Sequence, residues 1–322
     1  MSTQRDLPTE SINGLKPPVR GFPYFQGVQQ FPFESRATEI SQANASWLAD
    51  ACLMVYGDSD FVGEAFAGSP LPDAGIELQW IGSEAENRGM VLSCKEFMLV
   101  VFRGTRLNDH SVSQAAAFQW VDPGDFLTDS KFVLTNHPIE GRVHRGFLAA
   151  YQEVNESLAR IIKAKRSEAS LWFSGHSLGG ALAVLAATEF SESVAGVYTF
   201  GAPRVGDQAF AELLPAEKQF RFVHRDDWIS RIPPELISYQ HGGVEFKIPG
   251  SGERRFWDDV STGAKTFVDA VKSTVKELKI DFGDFPMQIS GIADHAPAYY
   301  AVHLWNELVS PTETSAKFRQ NS

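Results

Sequence analysis

Ser177 stands in Gly-His-Ser-Leu-Gly, residues 175–179, between the apolar run Leu171-Trp172-Phe173 and an alanine-rich stretch that begins at Leu178. Gly-X-Ser-X-Gly between a strand and a helix is the pattern of a nucleophile elbow. Such a turn strains the serine backbone, and side chains two residues to either side would collide. Gly175 and Gly179 remove those collisions. The hydroxyl is then lifted clear of the sheet at the positive end of the following helix, where the Leu178 N–H can face an oxyanion. A glycine-rich turn that merely packs closely is the plainer reading. The strand before and the helix after favour chemistry.

A serine hydroxyl is a weak nucleophile until a base takes its proton, so a histidine and an orienting acid are required. Around this elbow the partners follow in the order serine, acid, histidine. Four histidines lie beyond Ser177: His224, His241, His295 and His303. His224 comes too early to leave the acid its own strand end. His241 opens an apparent strand, and His303 falls inside an apparent helix. His295, in the loop before that last helix, is therefore the expected base. The acid stays open among Asp226 and Asp227, after the run Phe220–His224, and Asp207, one strand earlier. Position favours the later strand end and does not separate the two neighbours. Asp294 is too local to orient the His295 ring and is expected to brace its loop.

The remaining chain must position these groups. At 322 residues with 43% hydrophobic and 21% charged side chains, it has the composition of a globular protein with a sizeable core. The net charge of -11 and the lack of a basic stripe argue against a nucleic-acid partner. No run of about 18 uncharged apolar residues is present, so no membrane span is expected. The first twenty residues show no basic start followed by an apolar run, hence no secretory signal is seen, and the compartment stays open. Cys52 and Cys94 are too few for a disulfide framework or a zinc site and read as reduced core thiols.

Residues 1–36 are rich in Pro and Gly but carry Phe22, Tyr24, Phe25, Phe31 and Phe33, which suggests an extended arm lying on the body. A helix is expected over 41–58. Three strand-like runs follow as a meander, then one helix over 147–166. From Leu171 onward, short apolar strands alternate with helices, the pattern of parallel strands covered on both faces. A late strand is expected at 241–248, an amphipathic helix over about 255–279, and a final helix from Ala298. With no repeat or linker, the whole chain, 1–322, is read as one α/β domain.

These motifs together resemble the fungal-type, or class 3, triacylglycerol lipase family of the α/β-hydrolase superfamily. The matching blocks are Val100–Arg106, Val143–Phe147, Gly175–Ala183, Phe200–Asp207, Asp226–Pro234, His241–Phe246 and Asp294–Tyr300, in the family's order. The resemblance implies an α/β-hydrolase fold, with a mostly parallel central sheet flanked by helices and a lid over the active site. It selects Asp227, six residues before Pro233, as the acid, with Asp226 second. It also implies Thr105 as the first oxyanion donor beside Leu178, and His144 and His176 as residues shaping the acyl pocket. His295 matches the family's base, between Asp294 and Tyr299. Arg103 is expected to anchor a strand end.

Two stretches depart from the family. Residues 107–126, apolar at Ala115–Phe118 and Trp120, read as a longer lid that could touch a lipid surface. Residues 250–292 read as a helical insertion. The expected function is a serine carboxylester hydrolase, most simply a lipase acting on triacylglycerol or other acyl esters, with no metal or organic cofactor. A phospholipase A1, a feruloyl-type esterase or a short-chain esterase would use the same triad. A lipase-like binding module without catalysis is the rival from another class.

Overall fold

The computed structural model describes residues 3–8, 15–82, 89–105, 133–165, 169–249 and 294–311. The expected lid at 107–126 and the insertion at 250–292 lie outside the described residues.

Helices α1 (Gln42–Met54) and α2 (Ser59–Ala67) precede the meander β1 (Glu77–Ile81), β2 (Gly89–Ser93) and β3 (Phe97–Phe102). A small hairpin follows, β4 (Leu134–Asn136) and β5 (Arg142–His144), then α3 (Arg145–Gln152) and α4 (Asn155–Lys165). Next come β6 (Ser170–His176), α5 (Leu178–Glu189), β7 (Val194–Phe200), the short α6 (Gln208–Ala211), β8 (Gln219–His224), β9 (Val244–Ile248) and α7 (Pro297–Val309). One seven-stranded sheet runs in the order β1-β2-β3-β6-β7-β8-β9. Its first two pairings are antiparallel, and every pairing from β3 to β9 is parallel.

Alternation along the strands feeds two cores. Phe97, Leu99 and Val101 of β3, Trp172 of β6 and Tyr198 and Phe200 of β7 face the arm, α1 and α7. Met98, Val100, Phe102, Phe173 and Val197 face α3, α4 and α5. Burial on both faces is why these strands read as unbroken apolar runs. Parallel register brings Phe102 beside Gly175, His176 beside Phe200, and Phe200 beside Phe222. The loops leaving β3, β6, β7 and β8 therefore open at one carboxyl edge, where ligands bind in open parallel sheets.

The single helix expected over 147–166 is two, separated by a turn at Glu153 and Val154. Buried Phe147, Tyr151, Val154, Leu158 and Ile161 keep one helical period across the break, so periodicity could not disclose it. Asn155, which suits helix starts better than interiors, begins the second piece. The arm is folded onto the body as turns. Phe33 packs on Trp47, Phe97 and Trp172, and Phe25 on Trp47. Cys52 is a core thiol that burial pushes up to about 12, whereas Cys94 is only half-buried at the end of β2. No helix among the described residues is long and apolar enough to cross a membrane.

Candidate active site

Ser177 has φ 58° and ψ -130°, a left-handed strain costing about 1–3 kcal/mol for a residue with a side chain. The surrounding backbone holds it there: the Ser177 N–H donates to Phe200 O at 3.0 Å, and its carbonyl accepts from Gly180 N at 2.9 Å. Serine at a helix N-cap ordinarily turns its hydroxyl back onto the helix. Here the side chain makes no capping bond. The glycines serve close backbone approach. A Cβ at Gly175 would overlap the Gly179 carbonyl, and one at Gly179 would overlap Phe102 O and lie 2.9 Å from Arg103 C. The end of β3, which leads to Thr105, thus rests directly against the elbow. Leu178 opens α5, and its N–H is one of the first-turn donors with no partner inside the helix.

Asp227 is fully buried just beyond β8. The His295 Nδ1–H donates to its Oδ2 at 2.8 Å and Oδ1 at 3.0 Å. Tyr300 OH donates to Oδ2 at 2.6 Å, and Ile229 N–H to Oδ1 at 3.0 Å. Burial and the adjoining carboxylate push the Tyr300 phenol well above its ordinary range, so it stays a donor. Gly201, at φ 56°, is needed where it stands, because a Cβ would overlap Asp227 Oδ2 and lie 3.0 Å from both His295 Nδ1 and Tyr300 OH. Asp226 turns outward to Arg231 at 3.2 Å, with about half of each side chain exposed. Asp207 caps α6 through the Phe210 N–H and pairs with Arg142 at 3.0 Å. The neighbouring Asp226 and Asp227 are thus separated by which way their side chains turn.

Asp294 receives the Asp226 N–H at 3.4 Å, and its carbonyl accepts the His224 Nδ1–H at 3.0 Å, so it ties the His295 loop to the end of β8. Burial pushes its carboxyl up to about 6. Burial, reinforced by His303, lowers His224 to about 4, and burial, reinforced by Arg221, lowers His241 to about 3. The His241 Nε2–H donates to Ser230 O at 2.6 Å. His144 caps α3, its Nδ1 accepting the Phe147 N–H at 3.2 Å while its ring stacks on Phe147. His176 uses both ring nitrogens internally, on Tyr56 OH and on the His295 carbonyl.

Three members of this arrangement escaped the sequence reading: Tyr300, Gly201 and Tyr56. The motif pointed to Tyr299, whose ring stacks on His224. One residue further along α7 rotates the side chain by about 100° and aims Tyr300 at Asp227. The Tyr-Tyr pair was the available signal, but only the helix register chooses between its members.

A mostly parallel sheet with a positive-φ serine between β6 and α5, and an Asp–His pair assembled from two later loops, defines the α/β-hydrolase fold. Residues 99–237 match the family described as Lipase (class 3). The secreted mono- and diacylglycerol lipase 1 of Fusarium solani is 36% identical over 115 residues, covering 34% of each chain. A lipase of Rhizomucor miehei is 35% identical over 138 residues, covering 38% of each. The chain thus spans little more than a third of the length of these curated relatives. A Rhizomucor miehei lipase propeptide complex aligns with a TM-score of 0.50 at 25% identity, covering 65% of this chain and 67% of that one. A triacylglycerol lipase structure with a serine protease triad as its catalytic centre aligns with TM-score 0.50 at 24% identity, covering 65% of this chain and 81% of that one; this likeness concerns the fold.

Proposed function

We propose that this chain is a serine carboxylester hydrolase of the lipase type, with Ser177, Asp227 and His295 as its triad. The observation that carries the reading is the strained elbow at Ser177 combined with a His295 ring held by a fully buried Asp227. In this reading His295 takes the Ser177 proton as Oγ attacks the ester carbonyl carbon. The N–H groups of Thr105 and Leu178 donate to the developing oxyanion, each worth about 3 kcal/mol. Collapse of the tetrahedral species expels the alcohol with the proton from His295. Water, deprotonated by the same ring, then releases the acid and regenerates Ser177. Asp227 holds the ring and compensates its charge while it carries the extra proton. No step calls on a metal or an organic cofactor. In this reading His144 and His176 help to shape the acyl side through packing, and residues 107–126 are the segment that would meet a lipid surface.

The test is labelling by a fluorophosphonate, followed by turnover of aryl esters of increasing chain length with and without emulsified triglyceride. Ser177→Ala is expected to lose labelling and essentially all hydrolysis. Equal labelling of that variant, or none of the native protein, would favour a non-catalytic module. Cleavage of butyrate far above laurate, with emulsions untouched, would replace lipase by esterase.

A further inference from the structure

We infer that Tyr56 and His176 form a brace that positions the His295 imidazole against the elbow, making both positioning residues for the hydrolysis proposed above. The inference rests on that reading of His295 as base. It draws on three segments distant in sequence. Tyr56 lies just past the end of α1, His176 ends β6 immediately before Ser177, and His295 belongs to the loop before α7.

The tautomer follows from the partners. The His295 carbonyl oxygen lies 2.7 Å from His176 Nε2 and can only accept, so Nε2 carries the hydrogen. In a neutral ring Nδ1 then presents a lone pair, and it accepts the Tyr56 hydroxyl at 2.8 Å. Protonating His176 would turn Nδ1 into a donor and force the Tyr56 bond to reverse. Burial, followed by the nearby His295, holds the ring well below the ordinary histidine range, and burial likewise keeps the Tyr56 phenol protonated. The two imidazoles lie 4.5 Å apart between centroids, at 36°. A neutral His176 therefore does not repel His295 when it becomes an imidazolium.

The brace also reaches the oxyanion side. A Cβ at Gly104 would overlap the Tyr56 hydroxyl and lie 2.9 Å from the His176 carbonyl oxygen. Gly104 immediately precedes Thr105, so one pair of side chains touches the segment bearing the candidate oxyanion donor, the residue before the nucleophile, and the base. Histidine suits this task because it offers a donor and an acceptor on opposite sides of one rigid ring. Glutamine can place a donor near Nε2 and keeps an amide oxygen able to accept from Tyr56, so it retains both bonding functions in a poorer geometry.

The experiment compares Tyr56→Phe, His176→Gln and His176→Phe with wild type on a water-soluble aryl butyrate, and records the imidazole 15N spectrum of the wild-type protein. Tyr56→Phe and His176→Phe are expected to lower kcat about tenfold, the scale of one positioning hydrogen bond, with KM within about twofold. His176→Gln should recover a large part of the loss suffered by His176→Phe. The spectrum should show His176 as the Nε2–H tautomer, without titration between about pH 5 and pH 8, where an ordinary histidine titrates. Unchanged kcat in Tyr56→Phe, equal losses in the glutamine and phenylalanine variants, or a His176 that titrates in that range would each overturn the brace. Should His176→Phe fail to fold, the milder Tyr56→Phe and the wild-type spectrum still decide. A wild type that hydrolyses no ester overturns the hydrolase reading and the positioning role with it. Normal wild-type turnover alongside unaffected variants overturns the brace alone.

Discussion

Asp50 and Asp227 are both buried carboxylates, 2% and 0% exposed, and each gathers a comparable set of donors. Asp50 receives Arg5 Nη1 at 2.6 Å, Arg5 Nη2 at 2.8 Å and the Phe25 N–H at 2.7 Å. Asp227 receives Tyr300, Ile229 and His295. The difference lies in the nitrogen-bearing partner. The Arg5 guanidinium never loses its charge, and it is packed over Phe22 and Trp305 with its centre 4.6 and 4.8 Å from their rings. That pair can only hold the arm against α1 and α7. The His295 side chain is 14% exposed, and histidine, unlike arginine, is a side-chain type suited to acid–base work, which is what the proposed reaction asks of it. A buried acid is thus no sign of chemistry by itself; the partner's capacity to change charge is.

Four substitutions break or sharpen this contrast. Asp227→Asn keeps the shape and removes the charge that selects the His295 tautomer, so kcat on an aryl ester is expected to fall about 10⁴-fold, by analogy with serine-protease triads, while Tm changes little. Arg5→Leu should do the reverse. It strands Asp50 in the interior and costs about 3–5 kcal/mol in denaturant unfolding, while the folded fraction keeps wild-type kcat. Loss of activity in that variant beyond its unfolded fraction would show that the arm acts on the site and not only on stability. Tyr300→Phe removes one of the Asp227 donors, a bond to a charged group worth about 1.5–3 kcal/mol, and should lower kcat ten- to a hundredfold, read in the same assay. Asp226→Asn touches only a half-exposed pair with Arg231, and kcat should stay within about twofold. If Asp226→Asn proves more damaging than Asp227→Asn, the acid has been placed one residue too late.

Legibility in the sequence followed how local each determinant is. The elbow was readable because the glycines, the apolar strand and the alanine-rich helix are contiguous with Ser177, and the strain at φ 58° is a property of that short turn. The parallel strands were readable because burial on both faces leaves short, mostly apolar runs in β6 and β7. The split between α3 and α4 was not readable, since the buried positions keep the same period on both sides. The choice of Asp227 over Asp226 came from a family resemblance, because adjacent aspartates differ only in side-chain direction. The arm's aromatics announced contact with the body, but not the ion pair between Arg5 and Asp50, whose members are 45 residues apart.

Sequence by itself determined the turn at Ser177, the alternation of strands and helices, and the small set of histidines and aspartates that could serve it. Those follow from backbone sterics and from side-chain periodicity, which act over a few residues. Tertiary structure decided which carboxylate meets the His295 ring, that Tyr300 and not Tyr299 bonds that carboxylate, and that His176 joins Tyr56 to His295. Each of these depends on the register of a strand or the rotation of a helix against a partner far along the chain. Close packing settles such directions, because in a filled interior only one of two neighbouring side chains can point at a given atom.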